Sequence, residues 1–325
     1  MKALAVAAAI KVLTFNAAGI PLVHPELARR VSATGRAIKD GGYDLVGLQE
    51  LWGDKDHDRV AALSGLPYAA RVRRTIAFGS GLSILSRWPI LKTEERAFTA
   101  VRPSLRHPLE GEFLARKGWL FARVATPGGP LDVYAAHTLA DYPEAQYHLI
   151  RLTELFELAE GIRELSGTAP FVVLADLNSG RGDAEFDLFM DLLGARDACE
   201  KDGRELCPEA GRTRRIDHAL SPGLFAGPGR KVLDAPLDSS GLTLSDHAGF
   251  EAALRLPAKP SALAAPRRAA ALAAVSDAMT AAIARLEERR RSAGWIPVYG
   301  AFVSARYERQ MRRFEAVRER ADAAR

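Results

Sequence analysis

Long apolar runs are missing from this chain. No stretch of about 18 or more uncharged apolar residues occurs in its 325 residues, so no transmembrane helix is expected. Cysteine is scarce as well: Cys199 and Cys207 are the only two, they share one polar loop, and without a nearby Cys/His pair they do not complete a zinc site. A small disulfide in an oxidising compartment and a pair of idle thiols both fit them, so cysteine usage does not settle the compartment. Internal repeats are absent. The last shortage is of basic charge on the main body. The net charge is +5, but the segment from Ser261 to Arg325 holds 13 Arg against 7 Asp/Glu, and the first 260 residues hold 32 Lys/Arg against 33 Asp/Glu. A grip on duplex phosphates needs a basic face on that body, which makes nucleic acid the less favoured partner.

What remains is the composition of an ordinary globular protein, 48% hydrophobic and 26% charged, long enough for one large α/β domain with an appendage. Met1-Lys2 followed by ALAVAAAI resembles a clipped signal peptide, yet Lys11 and the strand-like VLTFN follow at once. Cleavage just after the alanines would spare that strand, so export and retention both stay open. Up to residue 256, short β-type runs alternate with helical patterns. IKVLTF, DLVGLQ, GLSILS, WLFARVA, LDVYAA, FVVLA, IDHAL and AGFEAAL read as strands. PELARRVSATGRAIKDGG, Pro143 to Leu165, and Asp183 to Leu193 (with Asp183 as cap) read as helices. The order mixes hairpin neighbours with helical crossovers, which suggests mixed sheets covered by outer helices. We divide the chain into a main domain at 10–256, a Pro/Ala linker at 257–268 and a basic amphipathic helical extension at 269–325. Leu272, Val275, Met279, Ile283 and Leu286 fall on one face of the first extension helix. Val303, Tyr307, Met311, Phe314 and Val317 do so on the second. A hairpin folded back on the main domain, a basic membrane-surface device and a dimerisation element all fit this pattern.

Six short runs end in residues suited to metal binding or proton transfer: Asn16, Glu50, His137, Asp176 with Asn178, Asp217, and Asp246 with His247. A carboxylate closing a buried strand, as at Glu50, is costly unless paired or bound to a cation, and a hard oxygen donor suits Mg²⁺. Asp176 and Asn178 are two apart on an extended chain and face the same way. An imidazole at His247 can act as a base near neutral pH, and an acid such as Asp217 can hold its tautomer. Taken singly, each has a bland reading, a turn, cap or solvated end for the acids and amides and a core or surface position for a histidine; His24, His57, His107, His148 and His218 are left at that last reading.

The set in its order, with GLSILSRWPI, resembles the endonuclease/exonuclease/phosphatase superfamily over roughly residues 10 to 256. That resemblance implies a DNase I-like, four-layer α/β sandwich, with two mixed β-sheets flanked by helices and here a C-terminal helical hairpin. It implies Glu50 as principal ligand of Mg²⁺ (Mn²⁺ or another divalent cation being the alternative), with Asn16 and Asp246 near the metal. It also implies His247 as general base oriented by Asp217, Asp176 and Asn178 orienting nucleophile and phosphoryl group, and His137 stabilising the transition-state charge. Two small departures are Ala175 and Ala136, where Gly and Thr or Ser often stand.

Within the superfamily, LQELWGDKD, GEFLARKGWLFARV and AAHTLADYPEAQYHLIRLTELFEL resemble the neutral sphingomyelinases, whose Lys-Gly pair reads here Lys117-Gly118 with Glu112 as its acid. Lys117 either neutralises a phosphodiester oxygen or clamps a loop through Glu112. The resemblance implies a phosphodiesterase acting on sphingomyelin or a related phospholipid, with the C-terminal basic helices as a candidate membrane-surface contact. The rivals are a nuclease or soluble phosphoesterase of the same superfamily, and a non-catalytic lipid- or protein-binding module on the same fold. Location stays open between a soluble cytoplasmic, an exported and a peripheral membrane protein.

Overall fold

The computed structural model describes residues 9–20, 26–72, 80–99, 117–140, 147–208, 214–256, 265–293 and 297–325. The alanine-rich start at 1–8, His24, His107, Glu112 and most of the Pro/Ala linker lie outside the described residues.

In chain order the elements are β1 (Ile10–Asn16), α1 (Leu27–Gly41), β2 (Leu45–Gln49), α2 (Asp54–Ser64), β3 (Tyr68–Arg71), β4 (Ser83–Ser86) and β5 (Ile90–Ala97). There follow β6 (Gly118–Thr126), β7 (Gly129–His137), α3 (Tyr147–Ser166), β8 (Phe171–Asp176), α4 (Ala184–Leu193), β9 (Arg196–Asp197), β10 (Glu200–Lys201) and β11 (Arg204–Glu205). The last are β12 (Asp217–Ser221), β13 (Arg230–Val232), β14 (Gly249–Leu254), α5 (Ala265–Ala293) and α6 (Pro297–Ala323).

Two six-stranded mixed sheets result, ordered β13-β14-β1-β2-β4-β3 and β5-β6-β7-β8-β12-β9, with β10-β11 as a separate hairpin. Their strands alternate two apolar faces because successive side chains point to opposite sides. On β6, Leu120, Ala122 and Val124 pack between the sheets against Val133, Val172 and Leu174, while Trp119 and Phe121 face the helices. Leu13, Phe15, Val46 and Leu48 pack outward against Val31, Ile38 and Val60 of α1 and α2. On the other side, Tyr134 and Val173 meet Leu155, Phe156 and Phe189 of α3 and α4. Helix, sheet, sheet, helix is the four-layer α/β sandwich that the superfamily resemblance implies, and it contains the mixed, helix-covered sheets expected from the strand order.

The C-terminal helices lie on the second helical layer. Leu272, Val275, Met279, Ile283 and Leu286 of α5 and Met311, Phe314 and Val317 of α6 are buried in the same core as α3 and α4. By length and composition alone Arg267–Ser292 is apolar enough to cross a membrane, which the run-length reading had not anticipated. Its apolar face is nonetheless spent on the protein core. The cysteine question resolves to a disulfide, Cys199–Cys207.

Candidate active site

Topology brings the singled-out residues to one edge. β1 and β2 run parallel with Asn16 opposite Gln49, so Asn16 and Glu50 leave the first sheet together. β7 and β8 run parallel with His137 opposite Asp176, and antiparallel β12 starts at that edge with Asp217 opposite Asp176. Antiparallel β6 places Lys117 just before Gly118, the partner of His137. Antiparallel β14 does the same for Asp246 and His247, since Phe250 pairs with Thr14.

Asn16 is the bridge. Its fully buried amide donates to Glu50 Oε1 at 3.0 Å and to Asp176 Oδ2 at 2.8 Å, while its Oδ1 accepts from Ala18 N–H at 2.9 Å. Glu50 reaches this position through a left-handed backbone, φ 56°, and Asn178 through φ 47°. Such an angle is readily adopted by Asn but unfavourable for Glu, and at Glu50 it persists because the surroundings impose it. Gly19 helps impose the first: a Cβ there would stand 2.4 Å from the Glu50 carbonyl, which accepts Gly19 N–H at 2.9 Å. Asn178 N–H donates to Asp176 Oδ1 at 3.0 Å and its side-chain amide to the Thr138 carbonyl at 3.0 Å.

His247 Nδ1 lies 2.7 Å from Asp217 Oδ2, a carboxylate on a fully buried strand. This contact puts the ring proton on Nδ1 and makes Nε2 the basic nitrogen. Lys117 Nζ sits 2.6 Å from His137 Nε2 and 3.0 Å from the Thr138 carbonyl. An ammonium can only donate, so His137 accepts at Nε2 and carries its proton on Nδ1. Burial, then the Lys117 charge, push the His137 pKa well below its usual value and keep the ring neutral. Burial alone would raise the Asp176 carboxyl, but the positive charge of Lys117, the neighbouring His247 and the hydrogen bond from the Asn16 amide outweigh it and hold the group below the usual carboxylate range.

The donor set suits a hard cation. Ligand atoms of Glu50, His137 and Asp176 lie within 4.8 Å of one another, as do those of Asp176, Asp217 and His247. Two carboxylates held side by side by one amide repel each other unless a cation is near. Glu50 keeps 17% of its side chain exposed, so such an ion could retain water.

Three placements differ from the sequence reading. Asn16 turns its donor, not its oxygen, toward the carboxylates. Asp246 is exposed, takes a 3.3 Å contact from the Ser245 hydroxyl and lies outside both ligand groups. His137 acts as an acceptor seating Lys117, so the cation facing the site is the ammonium and not the imidazole. The pairing of Lys117 with Glu112 lies outside the described residues. Sequence reasoning passed over Thr138, whose carbonyl gathers Lys117 and Asn178 and whose N–H donates to the Asp176 carbonyl at 3.1 Å. Its adjacency to His137 was the available signal. Arg30 was missed too: buried in α1, it donates to the carbonyls of Leu244, Ala18 and Ala17 at 2.9, 3.3 and 3.4 Å, tying the Asn16 and His247 loops together. A lone Arg in an amphipathic helix gives no such hint.

Against known proteins, the Endonuclease/Exonuclease/phosphatase family model matches residues 13–247, a stretch that includes every residue of this site. Sphingomyelin phosphodiesterase 2 of Homo sapiens is 27% identical over 194 residues, which cover 58% of this chain and 45% of that protein. Inositol phosphosphingolipids phospholipase C of Schizosaccharomyces pombe is 26% identical over 172 residues, covering 51% of this chain and 40% of that protein. The chain spans about half the length of the curated relatives it matches. A crystal structure of beta toxin from Staphylococcus aureus with bound magnesium ions aligns over 75% of this chain and 99% of its own, with a TM-score of 0.62 and 15% identity. At that identity the likeness is one of fold.

Proposed function

Since the chain belongs to the endonuclease/exonuclease/phosphatase family, we propose that it is a Mg²⁺-dependent phosphodiesterase that hydrolyses sphingomyelin or a related sphingolipid and releases the phosphorylated head group. The observation that carries this reading is the continuity of the site. The Glu50–Asn16–Asp176 bridge, the His247–Asp217 pair and the Lys117 ammonium converge at the same end of the two sheets.

In this reading His247 Nε2 takes the proton of the attacking water, and Asp217 holds the ring and offsets the charge it gains. Asp176 and Asn178 orient the water and the phosphoryl group. Lys117, seated by His137 and Thr138, offsets the negative charge that builds on the phosphoryl oxygens. Glu50 and Asp176 would hold the divalent ion, with Asn16 fixing their spacing. When bound, the ion supplies Lewis-acid stabilisation of the phosphoryl oxygens. The sphingolipid substrate is supported by the names of the two relatives, a sphingomyelin phosphodiesterase and an inositol phosphosphingolipid phospholipase C, whose different head groups leave phosphocholine and phosphoinositol both in play. Exposed arginines of α5 and α6, among them Arg289, Arg291 and Arg312, offer a cationic surface for contact with a membrane.

The test is a panel of sphingomyelin vesicles, inositol phosphosphingolipid vesicles, plasmid DNA and a soluble phosphomonoester, each with Mg²⁺ and with chelator. Chelator-sensitive release of a phosphorylated head group from a sphingolipid is expected. Cleavage of DNA alone would move the substrate to nucleic acid, and no turnover of any member would leave a binding module on this fold.

A further inference from the structure

Behind the Asp217–His247 pair, on the other face of β12, lies a second set of buried charges that the proposed chemistry does not use. His218 follows Asp217 and therefore points away from the site, toward α4, where its ring centroid lies 4.5 Å from that of Phe186. Its Nδ1 is 2.6 Å from Asp197 Oδ2 and its Nε2 is 2.9 Å from the carbonyl of Ser179, the residue after Asn178. Arg215 completes the set. It donates to the Asp217 carbonyl at 2.6 Å, pairs with Asp197 Oδ2 at 3.0 Å, and grips both oxygens of Glu205 at 3.2 and 3.1 Å. Its Nη1 also lies 2.9 Å from His218 Nδ1.

Both acids are themselves pinned by one short loop. Asp197 Oδ1 accepts from Cys199 N–H at 2.8 Å, Glu205 Oε1 accepts from Cys207 N–H at 2.9 Å, and the two cysteines are joined by the disulfide. A chain of contacts thus runs from the disulfide loop through Asp197 and Glu205 to Arg215 and His218. It ends on two backbone carbonyls, those of Asp217 and Ser179, each on or beside a residue of the proposed site.

Burying a guanidinium among carboxylates is a poor way to gain stability alone, since well-packed apolar residues commonly serve as well or better. A planar five-donor fork is, however, a good way to fix backbone position in several directions at once. Catalysis is sensitive to such fixing, because a displacement of about 1 Å can cost on the order of 100-fold in rate.

We propose that Arg215 is a positioning residue for the hydrolytic reaction: anchored by the disulfide-closed loop at 199–207, it sets the start of β12 so that Asp217 meets His247, and with His218 it holds the Asn178 turn. The inference rests on the phosphodiesterase reading of the site. Arg215→Lys keeps the buried charge but loses the fork, and is expected to lower kcat by about 10- to 100-fold, with KM changed by less than about twofold. The decisive comparison is a double-mutant cycle with Asp217→Asn. If Arg215 acts through Asp217, adding Arg215→Lys to Asp217→Asn should cost less than about threefold further. Glu205→Gln, on the half-exposed arm of the fork, is the second variant should Arg215→Lys fail to fold; a smaller kcat loss and the same non-additivity are expected. Melting temperatures of each variant separate misplacement from unfolding. Equal losses in the wild-type and Asp217→Asn backgrounds, or an effect confined to KM, would overturn the inference while leaving the phosphodiesterase reading standing. Absence of wild-type turnover would overturn both.

Discussion

Asn16 has no charge to offer, yet it decides how two charges meet. With its oxygen on Ala18 N–H, its amide group can only donate, and both Glu50 and Asp176 accept from it. Glu50→Gln removes a proposed ligand and Asn16→Ala removes the spacer; titration calorimetry should show weaker Mg²⁺ binding in both, by about 10- to 100-fold for the spacer. Unchanged Mg²⁺ affinity in Glu50→Gln would move the cation elsewhere. His247→Ala should lower turnover by about 10²- to 10⁴-fold, the usual contribution of a general base, with the melting temperature little changed. A different effect belongs to His57, buried on α2 with Nδ1 lacking a hydrogen-bond partner among the described residues. Burial, then the Arg71 charge, lower its pKa to about 4. Its folded pKa lies below the unfolded value of about 6.5, so between those pH values the unfolded state binds more protons and stability is lost as pH falls. Urea midpoints measured from pH 7 to pH 4 should therefore fall less steeply for His57→Leu than for wild type.

At the scale of elements, the residues of the site were legible one by one because each closes a run with a clear β pattern. β1, β2, β4, β6, β7, β8, β12 and β14 lie where alternating or continuous apolar runs placed them. β5 was not legible. Its ILKTEERA forms an edge strand with little buried surface, so no apolar period marks it. α2 was missed for a similar reason: of DKDHDRVAALS only His57, Val60 and Ser64 are buried. Asp183 does precede α4, but its carboxylate bonds Gly180 N–H at 2.9 Å in the preceding loop and makes no side-chain cap bond to the helix. The two sheets are tightly packed where β2 faces β8: a Cβ on Gly47 would lie 2.6 Å from Leu174 Cβ. Gly47→Ala should therefore destabilise the protein by about 1–3 kcal/mol in urea unfolding, as overpacking of a filled core does. A neutral effect would mean that the sheets part more easily than their packing suggests.

For the whole molecule, the C-terminal helices change how any membrane role can be examined. Removing them would uncover apolar surface on α3 and α4, including the Phe156 ring beneath Arg320, so a truncated chain is expected to aggregate or lose stability for reasons unrelated to lipid. Charge reversal on the solvent side keeps the core intact. Arg289→Glu, Arg291→Glu and Arg312→Glu together should weaken sedimentation with anionic vesicles while leaving turnover of detergent-dispersed substrate unchanged. Equal vesicle binding by this variant would remove the membrane contact proposed for these helices.

The sequence by itself determined the residue types, their order and the strand ends that carry them, because a period of two and a polar residue closing an apolar run are local signals. The resemblance carried by those runs reached the family and the layered fold, and it named the candidate site residues. Only the tertiary structure decided how those residues face one another. That Asn16 donates to two carboxylates, that His137 seats Lys117 and that Asp246 stands apart depend on strand register and on left-handed turns at Glu50 and Asn178. The same holds for Arg215 and the disulfide loop behind β12. Such contacts join residues up to 160 positions apart, as Asn16 and Asp176 are. No local pattern encodes a distance that exists only once the sheets have packed.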